Sequence, residues 1–361
     1  MAWFTRLTLG FIAVVTILPL LPVGAWWIRL CDFPRMQIAA GLVLPLLGLT
    51  IWSRHSAWGG EQWCVVLLCG LLAAWQLSHT APYLPWWSKE LPDASSTAAD
   101  LHTVSVVNLK FENEKKGEVL GQLQQLDSDL LLLIEVDQAW MEGLTPLTES
   151  YPHRVGKVLE EGLGLLLWSK LPLIEPEVRY LVSDDRPSIF ARFELSDGQQ
   201  VHFVGVHPTP PGLWNDAEDE RHDSRIRDAE LLLIADRVAK HPKRNWLIVG
   251  DFNDVAWSHT TRLFQRLSGL KDPRVGRGLY NSYHAQYPPF RFPIDQVFLS
   301  PNARIAQLQR LSTAGSDHFA ITTTFTFQGR QAAKPEPEGN DREQAQEMIQ
   351  EGIRDAQSTN E

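Results

Sequence analysis

Cysteine and methionine are scarce in this chain of 361 residues, which has three of the first and four of the second. Cys31, Cys64 and Cys69 all lie within the first 70 residues, in or beside apolar segments. No cysteine remains for a disulfide further along the chain, and no Cys-x-x-Cys or Cys/His spacing indicates a metal site. A cysteine-based metal centre is therefore excluded, and the redox compartment stays open.

An excess of positive charge is also missing. The chain has 33 Lys and Arg against 43 Asp and Glu, a formal net charge of −10. This balance argues against a protein that coats nucleic acid non-specifically, because that function needs a basic face. It does not exclude a nuclease, since a bound cation can offset acidic groups at a site. The hydrophobic content of 44% is enough for a full core.

Charged residues are absent from long stretches of three apolar segments in the N-terminal third. The segments lie at about 7–28, 36–53 and 62–79, and each approaches the length that crosses a bilayer. Tryptophans lie at or near their ends, as in an interfacial aromatic belt: Trp26, Trp27, Trp52, Trp63 and Trp75. We predict a membrane region, residues 1–80, with three transmembrane helices.

Two other interpretations of these segments are weaker. A cleaved signal peptide would need a small-x-small site, and none follows the first segment cleanly. Buried core helices rarely continue so far without a charge. For orientation, Arg6 and Arg54 favour one side while Arg29 and Arg35 favour the other. With three spans the chain ends on the side opposite its start, and we expect a cytoplasmic N-terminus and an external C-terminal domain.

Three segments follow the membrane region. Residues 81–100 contain three prolines and a Ser/Thr/Ala cluster, which predicts a linker. For residues 101–327, which contain many apolar runs, we predict a globular domain. Residues 328–361 are acidic and polar, and Met348 and Ile349 offer little to bury, so we predict a disordered tail that forms at most a short exposed helix.

The globular domain is rich in strand-length apolar runs. Several runs follow one another without long helices between them, which indicates antiparallel pairing, and one long helical stretch covers Glu218–Lys240. A helix also follows from Gly117 to Leu126. Two sheets packed face to face with helices outside suit this order best. A doubly wound parallel sheet would need more helices in the middle of the domain.

Polar side chains lie at the ends of many of these runs. They are Asn108, Glu135, His207, Asp251, Asn253, Asp295, Asp317 and His318. Each has an ordinary structural interpretation, such as a turn residue for Asn108 or a helix cap for Glu135. Asp251 beside Gly250 can form an Asx turn. Together, carboxylates, amides and imidazoles at strand ends are what a metal-assisted phosphoryl-transfer site needs.

In that order, these residues resemble the endonuclease/exonuclease/phosphatase superfamily, which includes DNase I-like nucleases. The motifs that carry the resemblance are GDFN at Gly250–Asn253 and SDH at Ser316–His318, with an upstream strand ending in Glu. NLKFEN from Asn108 and HPTPP from His207 resemble the membrane-anchored bacterial branch. The resemblance covers about 101–327 and implies an α/β fold, a four-layered α/β sandwich.

One departure concerns the residue after Asp295. Members of the superfamily often have Asp-His where this chain has Asp295-Gln296. The aspartate is the member of that pair with a site role, so we expect Gln296 to alter local hydrogen bonding without removing activity.

The resemblance implies a divalent cation, Mg²⁺ or Mn²⁺, bound through hard oxygen ligands. Glu135 would bind it, and Asn108 and Asp317 would help to hold the metal or its waters. The other roles concern the reaction itself. Asp251 would orient or deprotonate the attacking water, and Asn253 and His207 would donate to phosphate oxygens. His318 would contact the phosphate or assist proton transfer, with Asp295 fixing its tautomer.

The implied function is a membrane-anchored phosphoesterase in a bacterial inner membrane, with its domain in the periplasm. Its partners would be the bilayer and a phosphoester substrate, either nucleic acid or a lipid head group, with no obligate protein partner. The basic residues near Arg221–Arg227 are interrupted by acidic ones and predict a solvated helix face. The loop Pro208–Asp219 with Trp214 is a candidate lip over the site.

Two other functions remain to be weighed. A membrane-tethered binding module on the same fold would have lost a metal ligand or the Asp/His pair, and none is missing from the sequence. A transporter is disfavoured because the three apolar segments carry no central ionisable residue.

Overall fold

A computed structural model describes residues 2–21, 23–55, 58–95, 100–212, 214–215, 220–221, 223–328 and 334–359. The helices are α1 Ala2–Ile17, α2 Trp26–Arg29, α3 Arg35–Gly41, α4 Val43–Trp52, α5 Gly60–Thr80, α6 Lys116–Leu126, α7 Gln138–Gly143, α8 Arg225–Lys240, α9 His259–Ser268 and α10 Asp341–Thr359.

The strands are β1 His102–Asn108, β2 Leu130–Ile134, β3 His153–Lys157, β4 Leu165–Ser169, β5 Ile174–Tyr180, β6 Pro187–Glu194, β7 Gln200–Val206, β8 Trp214–Asn215, β9 Glu220–Arg221, β10 Asn245–Asp251, β11 Asp295–Leu299, β12 Ala303–Ser312 and β13 Phe319–Phe327.

The strands form two large mixed sheets and a short hairpin. The six-stranded sheet has the order β12-β13-β1-β2-β4-β3, and the five-stranded sheet has the order β11-β10-β7-β6-β5. In each sheet one central pair is parallel, β1 with β2 and β7 with β10, and the other pairs are antiparallel. The prediction of two packed mixed sheets flanked by helices is confirmed.

Three apolar layers hold the domain together. The central one lies between the sheets, where Val106, Leu132 and Phe203 are among its buried side chains. A second packs α8, α9 and α10 on the five-stranded sheet, and a third packs α6 and α7 on the six-stranded sheet. The order helix–sheet–sheet–helix is the four-layered sandwich that the resemblance implies. The continuous apolar run of β2 is fully buried, as a strand covered on both faces must be.

The C-terminal segment differs from the prediction of a disordered tail. Helix α10 packs along α8, and Gly352 lies so close that an added Cβ would fall 2.3 Å from the carbonyl oxygen of Arg225. Ion pairs flank this contact, Arg225 with Asp355 and Arg266 with Asp341. Ala345 is buried in the second apolar layer and Met348 and Ile349 pack against it, so the two large apolar residues do contribute burial, together with the close approach at Gly352.

The predicted linker also packs against the domain where the structure describes it. Leu91 is fully buried in the central core, and the backbone of Asp93 bridges to Ile305. The predicted Ser/Thr/Ala cluster falls mainly at 96–99, outside the described residues. Most of the loop 208–219 that we considered as a lip is likewise outside them or has no described side chains.

The N-terminal helices form a small bundle whose outer surface is apolar. Three spans are long and apolar enough to cross a membrane: Ala2–Leu20, Arg35–Trp52 and Gly60–Tyr83. The first lies nearer the N-terminus than 7–28, because α1 ends at Ile17 and Pro19 follows in a short 3-10 turn. Arg6 therefore lies inside α1, where it pairs with Glu61.

The bundle contacts the domain through the segment between α1 and α3. The Trp257 indole donates to the carbonyl of Asp32 over 2.8 Å, and the Tyr83 hydroxyl donates to the carbonyl of Ala256. Phe33 packs edge to face on Phe292. These contacts lie at the domain end of all three spans, so the start of α1 and the globular domain lie at opposite ends of the bundle.

Candidate active site

The strand register brings the predicted polar residues to one edge of the sandwich. Asp251 at the end of β10 lies directly opposite Asp295 at the start of antiparallel β11. Asn108 ends β1 beside Ile134, so Glu135 follows at the same edge. His207 follows β7, which runs parallel to β10, and Asp317 and His318 precede β13, which runs antiparallel to β1. All eight predicted residues therefore lie at this edge.

Glu135 is fixed by donors from two directions. Its Oε1 accepts from Asn108 Nδ2 at 2.9 Å and its Oε2 accepts from the backbone N–H of Phe111 at 3.2 Å. Glu135 has φ of 64°, a left-handed conformation that costs energy for a residue with a side chain. The Oδ1 atom of Asn108 accepts a hydrogen bond from the Lys110 N–H. The side chain of Asn108 therefore contacts Glu135 through its amide nitrogen. The carboxylate is half-buried and remains open to solvent on one side.

The GDFN segment turns sharply at its glycine. Gly250 has φ of 152°, and an added Cβ would fall 2.0 Å from the carbonyl oxygen of Val206, so a larger residue does not fit. The turn returns the N–H of Asn253 to Asp251 Oδ1 at 2.8 Å. Asn253 itself has φ of 50°, and its Nδ2 donates one hydrogen to the carbonyl of Pro208. This bond orients the amide, whose second hydrogen can serve a ligand.

Asp295, His318 and Asp251 form a buried chain of charges. His318 Nδ1 lies 2.8 Å from Asp295 Oδ2, and since a carboxylate accepts, Nδ1 carries the hydrogen. His318 Nε2 lies 3.7 Å from Asp251 Oδ2. All three side chains are at least 94% buried. Asp295 Oδ1 is buried with no hydrogen-bond partner among the described residues.

This chain changes the pKa of two of its members. Burial alone would lower the pKa of His318, but the carboxylates of Asp295, Asp251 and Asp317 reverse that effect and raise it to about 10. Burial, with repulsion from Asp295, raises the pKa of Asp251 to about 7. Without a metal ion, therefore, His318 is an imidazolium at neutral pH and Asp251 is close to its titration midpoint.

Two carboxylate groupings at this edge could be compared as cation sites. Donor atoms of Asp251, Asp295 and His318 lie within 4.8 Å of one another, and a metal bound through His318 would have to displace its proton. Glu135 and Asp317 offer hard oxygens, and Lys110 Nζ lies 3.7 Å from Asp317 Oδ2. Glu135 and Asp317 therefore stay the predicted metal ligands, and the cluster of Asp251, Asp295 and His318 is a second candidate by geometry.

Tyr283 lies close to carboxylates from both groupings and to the ring of His318. Burial raises the pKa of Tyr283, and the carboxylates of Asp317, Asp251 and Glu135 raise it further. Its ring lies 4.9 Å from that of His318. Tyr283 was not predicted from the sequence, because it lies in a long irregular segment before β11 and no strand pattern marks it.

Arg186 is a second residue that the sequence analysis missed. Its Nη1 lies 3.5 Å from Nδ1 of His207, both side chains are buried, and its Nε has no partner among the described residues. Burial and the nearby Arg186 lower the pKa of His207 well below its ordinary value, so that ring is neutral. A charged residue directly before β6 was the available signal.

Gln296, the departure from the superfamily pattern, lies away from the site. Gln296 is adjacent to Asp295 on β11, so the two side chains point to opposite faces of the sheet. Its Nε2 donates to the carbonyls of Asp254 and Pro293. Its Oε1 accepts from Arg274. The hydrogen bonds of Gln296 therefore stabilise β11 on the face away from the site, and Gln296 takes no part in the contact between Asp295 and His318.

The sequence matches the model of the endonuclease/exonuclease/phosphatase family over residues 107–318, more than half of the chain and nearly the whole sandwich. The chain belongs to this family. Members of the endonuclease/exonuclease/phosphatase family are hydrolases that act on phosphoester bonds, and they typically use divalent metals. No curated protein matches the chain by sequence.

Solved structures of the family share the fold at low identity. An endonuclease/exonuclease/phosphatase from Bacteroides vulgatus is 14% identical with a TM-score of 0.51, over 64% of this chain and 100% of that one. D. rerio TDP2, in complex with a single-strand DNA product, is 16% identical with a TM-score of 0.50, over 63% and 100%. Both support the sandwich.

Proposed function

We propose that this chain is a membrane-anchored, divalent-metal-dependent phosphoesterase that hydrolyses its substrate by in-line attack of water. The observation that carries the proposal is the buried Asp295–His318–Asp251 chain, which lies at the same edge as Glu135 and Asp317. The buried chain would supply the proton-transfer group, and Glu135 and Asp317 would supply the cation site. These are the two requirements of metal-assisted phosphoryl transfer.

Glu135 and Asp317 would hold Mg²⁺ or Mn²⁺, and Asn108 would hold Glu135 in place through its 2.9 Å bond. The bound cation would supply Lewis-acid stabilisation to the charge that develops on the phosphate. Lys110, beside Asp317, adds positive charge at the same place.

Asp251 would orient and deprotonate the attacking water, a role that suits a carboxylate with a pKa near the working pH. The Asn253 N–H holds Oδ1 of Asp251, and the Asn253 amide would donate to a phosphate oxygen.

His318 would donate to the phosphate as its charge increases, and Asp295 would keep the imidazole protonated and oriented. Neutral His207 would contribute a further donor, as would the Nε of Arg186, which has no partner in the part of the chain that the structure describes. Arg186 is thus added to the five catalytic residues that the sequence predicts.

The three apolar helices would anchor the enzyme in a bacterial inner membrane. The globular domain lies at the end of the bundle away from Ala2, so a cytoplasmic N-terminus would place the site in the periplasm. A reporter fused at either end, read as accessible from one side only, checks this orientation.

The test uses the full chain purified in detergent, with Mg²⁺ or with EDTA. The substrates are plasmid DNA, RNA, sphingomyelin, phosphatidylglycerol, an inositol phosphate and a chromogenic phosphodiester. We expect Mg²⁺-dependent hydrolysis that Asp251→Asn and His318→Ala abolish. Asp236→Asn, an exposed carboxylate on α8, is the matched control and should retain activity.

Binding of a phosphoester without turnover, in a protein that is folded and loaded with metal, would favour the alternative of a tethered binding module. Full turnover by the Asp251→Asn variant would contradict the proposed roles.

A further inference from the structure

The segment 283–291, called here the rim loop, carries exposed apolar side chains beside the candidate site. Tyr287 is 59% exposed and Phe290 is 60% exposed, and two prolines lie between them. Large aromatic side chains on an exposed loop are costly in water and are typical of a surface that meets a membrane or a partner.

One end of this loop is tied to the membrane bundle. Gln37 Nε2 donates to the carbonyl of Pro289, and Gln37 is the third residue of the span Arg35–Trp52. Just beyond the loop, Phe292 packs on Phe33. Because the span begins at Arg35, the Pro289 backbone lies at the level where that helix would enter the bilayer.

The other end of the loop is tied to the catalytic residues. The Ala285 N–H donates to the carbonyl of Asp317 at 2.6 Å, and Tyr283 pairs with His318 through both backbone and ring. The rim loop therefore joins the start of a membrane helix to the site within nine residues.

Two arginines add positive charge at the same place. The guanidinium carbons of Arg291 and Arg310 lie 4.9 and 4.5 Å from the centre of the Phe319 ring, next to His318. Among the described residues, no carboxylate lies within 4.0 Å of either one. Burial lowers the pKa of Arg310, and repulsion from Arg291 lowers it further. Two cations held together without a carboxylate favour an anionic ligand.

We propose that the rim loop inserts Tyr287 and Phe290 into the bilayer surface and that the site takes the phosphoester head group of a membrane lipid. This inference rests on the proposed function and assigns its substrate class. The aromatic tips would enter the interfacial region, as aromatic anchors do, while Arg291 and Arg310 would contact anionic head groups.

A nucleic acid substrate is the less favoured alternative. The tie between Pro289 and Gln37 holds the rim at the bilayer, where lipid head groups are already concentrated.

The first experiment measures insertion without using activity. The full chain, with its three cysteines replaced by serine, carries an environment-sensitive fluorophore on Phe290→Cys in lipid nanodiscs. The control label is on Leu101→Cys, which is 43% exposed at the opposite end of β1. We expect a blue-shifted emission and quenching by lipid-borne quenchers at 290 only. Equal, water-like spectra at both positions would overturn the inference and leave the proposed function intact.

The second experiment measures substrate class with the full chain in nanodiscs of phosphatidylcholine, with or without phosphatidylglycerol. Tyr287→Ser/Phe290→Ser should lower the ratio of lipid hydrolysis to soluble phosphodiester hydrolysis by about tenfold or more, since each buried aromatic contributes at least that order of affinity. Leu101→Ser should leave the ratio unchanged.

Arg291→Gln/Arg310→Gln should remove any preference for phosphatidylglycerol. Mg²⁺-dependent hydrolysis of DNA or RNA in preference to every lipid would overturn the substrate assignment. If the unmodified protein had no phosphoesterase activity on any substrate while the label at 290 still entered the bilayer, the proposed function would be contradicted and the insertion would stand.

Discussion

The two sides of the candidate site are built differently. Glu135 is half-buried and is held by neutral donors, an amide and a backbone N–H. Asp251 and Asp295 are buried and face a charged imidazole. The first arrangement leaves a carboxylate open for a cation from solvent. The second keeps charges in a low-dielectric interior, where they alter each other's pKa. One edge of the sandwich thus carries both the proposed metal ligand and the proposed proton-transfer group.

The largest effect should follow from Asp251→Asn on the buried side. Activity should fall by about a thousandfold or more because the variant lacks the base. Thermal stability in EDTA should rise by several degrees, because the amide avoids the burial and repulsion that raise the pKa of Asp251 to about 7. Turnover assays and calorimetry check this, with Asp236→Asn as control. A variant that is both inactive and less stable would contradict the electrostatic account.

Glu135→Gln should reduce activity through the metal. We expect a loss of about a hundredfold at low Mg²⁺ that higher Mg²⁺ partly restores, because a ligand amide binds the cation more weakly. Activity titrated against Mg²⁺ measures this. Asp251→Asn should show no such recovery, and equal recovery in both variants would show that the two sides act as one unit.

The buried side should also dominate the pH dependence of metal-free stability. The pKa of His318 is about 10 in the folded protein against 6.5 for the ordinary side chain. Its contribution is therefore complete below about pH 6.5 and is lost as pH rises towards about 10. Denaturant titrations in EDTA should show His318→Gln losing more stability at pH 6 than at pH 10. An equal loss at both pH values would contradict the raised pKa.

The smallest effect should come from the link between the two sides. The Ser316 hydroxyl donates to the carbonyl of Asn108 at 2.8 Å and accepts from the His318 N–H at 3.0 Å. Ser316→Ala should lower turnover about tenfold, the order of one or two buried hydrogen bonds. Ser312→Ala, on the exposed end of β12, is the control. Unchanged turnover would show that the sides are positioned independently.

The strand-end residues were predictable because a strand and its terminal polar side chain are local patterns. Asp251, Glu135 and His318 each follow or precede an apolar run that the sequence displays. Their convergence needs only the parallel and antiparallel register. Tyr283 was not predictable, since no local period marks it and tertiary packing alone brings it to the site. Arg186 had a local signal, its place directly before β6, but its contact with His207 depends on tertiary packing.

The same distinction explains the C-terminal helix and the first span. Helix α10 is stabilised by close contact with α8 at Gly352, a relation between distant segments that composition does not reveal. The end of the first span, by contrast, follows from Pro19, a local signal that outweighs the length of the uncharged interval.

The interlock between bundle and sandwich has a practical consequence for biochemistry. Leu91 fills part of the inter-sheet core, and Tyr83 and Trp257 cover each other at the base of the domain. A fragment cut at Leu101 would lack Leu91 and Tyr83, bare an aromatic face and tend to aggregate. Purification should therefore keep every residue from Ala2 onward, in detergent or lipid, even for assays that concern the hydrolytic step alone.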